Sequence, residues 1–236
     1  MHKGIFITGT DTGVGKTYVA AGLIRALRGK GLSVCPLKPV ETGCRLKNGE
    51  LIPQDTLRLV RASGVQEPLG FVNPFRMRSP LAPAVASEIE GVLIDRKRII
   101  SAYTGMNRKY DVTVVEGAGG IMVPVTGNYL FLHLVRDLNI PLVIVARPGL
   151  GTINHTLLTL ASALREKLNV LGVIINYTVR KKRGLPEKTN PEVIEKLGGV
   201  PLLATVPYLK GSSVDRRRAI FSEMMVNILS RMRERD

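Results

Sequence analysis

Residues 5–27 read IFITGTDTGVGKTYVAAGLIRAL: an apolar run, a glycine-rich turn and an amphipathic stretch in immediate succession. This is a strand, a tight turn and a helix. Consecutive backbone N–H groups in such a turn, together with the positive end of the helix dipole, cradle phosphate oxygens. Gly13 and Gly15 let the backbone approach, Lys16 reaches β and γ phosphates, and the Thr17 hydroxyl faces a Mg²⁺ ion carried with them. The usual pattern has four residues between its first glycine and GK. Here five follow Gly9, and Thr10 takes the first-glycine position, so the identification rests on GKT in its strand-turn-helix setting. A dinucleotide turn fits poorly, because Lys16 stands directly before the helix as a phosphate clamp.

Outward from this loop, short apolar runs alternate with helix-like segments across all 236 residues, the pattern of βαβ units. The expected fold is α/β: one domain over residues 1–236, a doubly wound, mainly parallel sheet with helices on both faces, of the P-loop NTPase type. Strands are expected at Ile5–Thr8, Val34–Lys38, Val112–Glu116, Leu142–Ala146, Val170–Asn176 and Leu202–Val206. Several are almost wholly apolar, as strands covered on both faces should be. Helices are expected at Lys16–Arg28, Thr56–Ala62, Ala82–Glu90, Asp95–Arg108, Leu130–Asp137, Asn154–Glu166, Pro191–Leu197 and Arg216–Met232. Three long connections, Pro39–Gln54, Gln66–Pro80 and Thr178–Asn190, are candidates for function.

Composition narrows the partners. The net charge of +15 and pI near 10.2 invite a nucleic-acid reading. The basic residues nevertheless fall in separate clusters (96–98, 180–183, 216–218, and Arg231, Arg233, Arg235), and aromatics at 5% offer few stacking platforms. These clusters are read as solvated faces, with neither nucleic acid nor membrane as partner. No apolar run is long enough to cross a bilayer. MHKGIFITG enters a strand without a leader, which predicts a cytoplasmic protein. Cys35 and Cys44 form no CxxC pair, and His2, His133 and His155 show no ligand spacing, so a zinc set is not expected.

Two carboxylates and a second lysine complete the candidate site. Glu116 ends the apolar run VTVVE before GAGG, so it emerges at the carboxyl edge of the sheet, where open α/β folds bind ligands. A carboxylate abutting an apolar strand demands a partner or a metal. Asp55 opens a helix after a long loop, as a metal ligand or as a dipole partner. Lys38 ends another strand and either snorkels to the surface or stabilises charge on a transferring phosphoryl group.

The set resembles the dethiobiotin synthetases. The matching residues are GTDTGVGKT (9–17), KPVETG (38–43), Asp55 in QDTL, NPF (73–75), SPLAP (79–83), VEGAGG (115–120), GLGTINH (149–155), IIN (174–176) and VPY (206–208). The resemblance implies ATP-dependent carboxylation of 7,8-diaminononanoate with CO₂, followed by ring closure through a carbamate and a carbamic-phosphoric anhydride. It implies Mg²⁺ held by Thr17, Asp55 and Glu116, with Lys16 and Lys38 as catalytic cations. The nucleotide would meet Gly13, Val14, Gly15, Lys16, Thr17, Tyr18, Asp55, Glu116, Gly117, Ala118 and Gly119, with its base near Asn176, Val206, Pro207 and Tyr208. Thr12 and Thr42 would lie near the diamine. Leu150, Gly151, Thr152 and Asn154 would contact the substrate carboxylate across a homodimer interface, with His155 structural.

The chain departs from the family pattern in places. Some members have Glu at the position of Gly13 and Ser at that of Ala82, and the segment 180–190 lacks a tyrosine that some members offer to the carboxylate. Lys188 is a candidate to replace it. Competing readings are a partitioning-type ATPase switch that binds DNA or membrane, and an amide-forming synthetase of the cobyrinic acid type. The first carries an extra lysine near the start of its loop, where this chain has Gly9, Thr10 and Asp11, and the second adds a glutaminase domain.

Overall fold

A computed structural model describes residues 4–180 and 184–234. His2, Arg235 and most of the 180–183 basic cluster lie outside the described residues. In chain order the elements are β1 (Gly4–Gly9), α1 (Lys16–Gly29), β2 (Val34–Leu37), β3 (Val40–Glu41), β4 (Arg45–Lys47), β5 (Glu50–Ile52), α2 (Gln54–Ser63), α3 (Leu69–Val72), β6 (Phe75–Arg76), α4 (Pro83–Glu90) and α5 (Arg96–Lys109). There follow β7 (Val112–Gly120), β8 (Pro124–Thr126), β9 (Tyr129–Leu130), α6 (Phe131–Leu138), β10 (Leu142–Ala146), α7 (Thr152–Arg165), β11 (Val170–Asn176), α8 (Leu185–Gly198), β12 (Leu202–Val206) and α9 (Val214–Arg233).

Six strands form one sheet in the order β12-β11-β10-β1-β7-β2, and every pairing is parallel. Their alternate side chains feed two apolar layers. Ile5, Ile7, Val114, Val143 and Ile174 pack with α1, α2 and α9, while Phe6, Val115, Ile144, Val173 and Ile175 pack with residues of α5–α8. The sheet is therefore doubly wound, as expected. Close packing of α1 on α9 requires a glycine, because a Cβ on Gly22 would stand 2.1 Å from the Phe221 ring.

The register aligns the candidate site. Ile7 of β1 pairs with Glu116 of β7, and Leu37 of β2 pairs with Val115, which puts Lys38 level with Glu116 at the carboxyl edge. β7 continues beyond the expected Glu116 because GAGG runs on beside β1, where Gly9 pairs with Gly120.

The structure differs from expectation in the connections. The loop expected at Pro39–Gln54 holds the hairpin β4–β5, whose turn residues Asn48 and Gly49 both have positive φ. Strands β3 and β6 pair across the next loop. α8 begins at Leu185, six residues before the expected Pro191, so residues 185–190 are helical. Pro186 sits in the first turn, where no N–H is needed. Pro191 cannot bond the carbonyl of Glu187, and that oxygen accepts from the Tyr177 hydroxyl at 3.4 Å instead.

Candidate active site

The loop 9–17 is built on left-handed glycines. Gly13 has φ +79° and Gly15 +89°, and Gly15 caps α1 without any side-chain hydrogen bond. With no acid in the first turn of α1, its leading N–H groups stay available to an anion. The Lys16 side chain folds back over the loop and donates to the carbonyl of Asp11 at 3.2 Å. A Cβ on Gly9 would stand 2.9 Å from the Asp11 carbonyl oxygen that receives this bond, so the close approach needs glycine. Burial, and after it the Lys38 ammonium, lower the Lys16 pKa to about 8 against the opposing pull of Glu116, Asp55 and Asp11.

Glu116 is fully buried. Its Oε1 accepts from Lys38 Nζ at 2.6 Å and from Thr17 Oγ1 at 2.8 Å, while its Oε2 has no hydrogen-bond partner. Lys38 also donates to the carbonyl of Gly117 at 2.8 Å. Burial alone would lower the Lys38 pKa, but Glu116, Asp55 and Glu41 outweigh it and the net shift is upward, so the ammonium form persists. Thr12 comes close to the end of β7, its Oγ1 lying 3.7 Å from where a Cβ of Gly119 would be.

Asp55 opens α2, partly exposed, 3.4 Å from Arg58, and its charge reaches both Lys16 and Lys38. Helix α2 is capped from a distance. Pro53 provides no cap, and the buried carboxylate of Glu41 instead accepts from the amides of Asp55 and Thr56 and from the Thr56 hydroxyl at 2.6–2.9 Å. Thr42 follows half-buried. Asn73 of the NPF segment is fully buried and donates to the carbonyls of Lys38 and Phe75, fixing the backbone behind the lysine.

An orphaned carboxylate oxygen beside a hydroxyl fits a hard cation such as Mg²⁺. Among the described residues no three His, Cys, Asp or Glu gather as metal ligands. Such a cation would therefore complete its shell with phosphate oxygens and water.

On the other side of the loop, Asn176 Nδ2 donates to the carbonyl of Val14 at 2.8 Å, and its Oδ1 is buried without a partner. A Cβ on Gly15 would stand 2.2 Å from that Nδ2. Gly15, Tyr18, Asn176 and Tyr208 help line a cavity of about 1190 Å³ that extends between α1 and α9. Val206 is buried in β12, Pro207 is half-buried, and Ala118 packs against the core.

Leu150, Gly151, Thr152 and Asn154 gather at the start of α7. Among the described residues they make no hydrogen bond or ion pair with the loop 9–17, Lys38, Asp55 or Glu116. Thr152 is buried, Leu150 and Asn154 are exposed, and His155 is half-buried. Residues that the sequence reading missed include Glu41 and Arg147. Arg147 directly follows the apolar β10 at the ligand edge, the same signal that singled out Lys38 and Glu116.

Residues 3–216 match a family described as AAA domain. Over 223 residues the chain is 43% identical to the ATP-dependent dethiobiotin synthetase BioD of Thermodesulfovibrio yellowstonii, covering 92% of this chain and 93% of that one. With the enzyme of the same name from Methanocaldococcus jannaschii it is 40% identical, covering 89% of this chain and 97% of that one. Among solved structures it is similar to pNOB8 ParA bound to nonspecific DNA (TM-score 0.63, 13% identity, all of both chains). It is also similar to the MinD cell division protein of Aquifex aeolicus (TM-score 0.61, 15% identity, 97% and 98% of the chains). Likeness at that identity speaks for the fold alone, whereas identity of 40% or more across nearly the whole length decides the family. The chain belongs to the ATP-dependent dethiobiotin synthetases.

Proposed function

We propose that this chain, as an ATP-dependent ligase of biotin biosynthesis, carboxylates 7,8-diaminononanoate with CO₂ and closes the ureido ring of dethiobiotin, releasing ADP and phosphate. One observation carries the chemistry: the ammonium of Lys38 and the hydroxyl of Thr17 meet on one oxygen of Glu116, within electrostatic reach of Lys16. One amine of the substrate captures CO₂ as a carbamate. A carbamate oxygen then attacks the γ-phosphorus as the bond to ADP breaks, and the second amine attacks the carbonyl carbon and expels phosphate.

Each of these steps places negative charge on oxygen, so the protein's task is positioning and charge stabilisation. Lys16 and the amides of Gly13–Thr17 would hold the phosphates, and Lys38 would stand against the transferring group. Thr17, Asp55 and Glu116 would hold Mg²⁺, which would neutralise phosphate oxygens when bound. Gly117, Ala118 and Gly119 would border the nucleotide. Its base would lie by Asn176, Val206, Pro207 and Tyr208, near Tyr18, and the unpartnered Oδ1 of Asn176 supports this reading because it can accept from an exocyclic amine.

Thr12 and Thr42 would face the diamine, and the Leu150–Asn154 turn would receive the substrate carboxylate in a homodimer. Exposed Leu150 and Leu158, and exposed Leu81, Val85, Ile89 and Leu93 at four-residue spacing, support self-association. No helix among the described residues is long and apolar enough to cross a membrane, and both cysteines are free thiols, which fits a reducing cytoplasm. The test is to incubate the protein with the diamine, bicarbonate, Mg²⁺ and ATP and to look for the cyclic urea by mass spectrometry. ATP hydrolysis stimulated by DNA, with no cyclic product, would favour the partitioning-type switch.

A further inference from the structure

All five residues of β10 are buried, and Arg147 follows them at once, half-buried where the chain turns into α7. Its Nε is sealed from solvent with no hydrogen-bond partner, and among the described residues no carboxylate pairs with the guanidinium. Its Nη2 lies 3.1 Å from where a Cβ on Gly151 would stand, so the cation rests on the left-handed residue that caps α7. That cap offers no side-chain acceptor, and the first turn of α7 contains no acid.

A cation beside the positive end of a 14-residue helix is an unfavourable pairing of like signs. A half-buried guanidinium without an acceptor adds to the cost. The turn cannot easily relax, because Asn190 of α8 donates to the carbonyls of both Pro148 and Gly149. Glu187, whose Oε2 accepts from the amide of Gly184 at 2.9 Å, forms no ion pair with Arg147. One external anion would resolve the whole arrangement.

We propose that Arg147 pairs with the carboxylate of the diamino acid substrate and makes the enzyme selective for an acid at that end of the molecule. The inference rests on the functional reading above, in which the Lys16–Lys38–Glu116 cluster handles the amines, CO₂ and the phosphoryl group and leaves the carboxylate without a cation. A planar guanidinium fork matches a carboxylate in two parallel hydrogen bonds. Lys188, the candidate that the sequence offers for this role, is exposed on α8, where it can stay hydrated.

The test compares 7,8-diaminononanoate with 2,3-diaminononane, in which a methyl group replaces the carboxylate. Arg147→Ala should raise KM for the diamino acid about 10- to 100-fold, the worth of a charged hydrogen-bonded contact, without changing KM for ATP. The same substitution should not shift KM for the diamine that lacks the acid. Arg147→Lys, which keeps the charge and loses the fork, should fall between parent and Ala variant. Thermal melting with and without ATP would establish that each variant is folded and binds nucleotide. An equal rise for both substrates, no rise for either, or the carboxylate-dependent rise in Lys188→Ala instead would overturn the assignment. Absence of cyclic urea from the parent enzyme itself would overturn the functional reading, and this inference with it.

Discussion

Nζ of Lys38 lies 2.6 Å from Oε1 of Glu116, and both side chains are withdrawn from solvent. The same oxygen accepts from Thr17, so one edge of the carboxylate is committed to the protein while Oε2 remains without a partner. The lysine thus serves two ends: it compensates a buried acid in the resting fold, and it supplies a cation to the ligand edge.

Lys38→Ala should therefore lower stability as well as activity. Leaving Glu116 charged and buried costs about 3–5 kcal/mol, whereas removing both charges costs far less. Guanidinium unfolding should show the large loss in Lys38→Ala and a substantial recovery in Lys38→Ala/Glu116→Gln. Equal stability of the single and double variants would mean that the two residues are not coupled.

Lys16→Ala should act mainly on turnover. Lys16 is held in its loop by a single contact to a carbonyl, and burial together with Lys38 disfavours its charged form until a phosphate arrives. Its charge should matter most as the γ-phosphoryl group transfers, so kcat should drop about 10²-fold or more. Steady-state rates of cyclic urea formation measure this, and an unchanged kcat would remove Lys16 from the reaction.

Much of this site could be read from the residue order alone. β10, β11 and β12 match their expected bounds because apolar runs covered on both faces and ended by charge or turn residues have clear limits. Lys38 and Glu116 were legible for the same reason: each is a charge attached directly to an apolar run. Arg147 obeys that rule too, but the GLGTINH segment just after it carries the more conspicuous signal. The role of Glu41 had no local signal, since its partners at Asp55 and Thr56 lie across a hairpin. Two-residue strands such as β3 and β6 carry no periodicity to detect. The start of α8 was hidden by two prolines, one harmless in a first turn and the other offset by a hydroxyl from Tyr177.

The two glycines of the phosphate loop should respond differently to a methyl group. At Gly13, φ is +79° and nothing stands within 4 Å of a Cβ, so Gly13→Ala incurs only the left-handed strain, about 1–2 kcal/mol. At Gly15 the same strain is joined by contact at 2.2 Å with Asn176 Nδ2, which must break its bond to Val14. Titration calorimetry with ATP and thermal melting should show Gly15→Ala as clearly the more damaging change in both affinity and stability.

Both thiols should be silent in the native protein. Burial, reinforced by Glu67 near Cys35, pushes that pKa to about 12, and burial with Glu41 pushes Cys44 to about 11. At pH 8 the more acidic of them is thiolate to about one part in a thousand. A disulfide reagent at pH 8 should release no colour from folded protein and two equivalents after denaturation. Fast labelling of the folded state would contradict the burial of β2 and of the turn after β3.

Glu116→Gln tests the metal assignment most directly. The amide keeps the shape and can still accept from Thr17 through its oxygen, but it loses the charge that pairs with Lys38 and would attract a divalent ion. If Thr17, Asp55 and Glu116 hold Mg²⁺, the concentration needed for half-maximal activity should rise about tenfold or more, corresponding to at least about 1.4 kcal/mol of lost affinity. At saturating Mg²⁺ part of the activity should return, because Asp55 and Thr17 remain. A Mg²⁺ titration superimposable on that of the parent would assign Glu116 to holding Lys38 alone, and the orphaned Oε2 would then need another occupant.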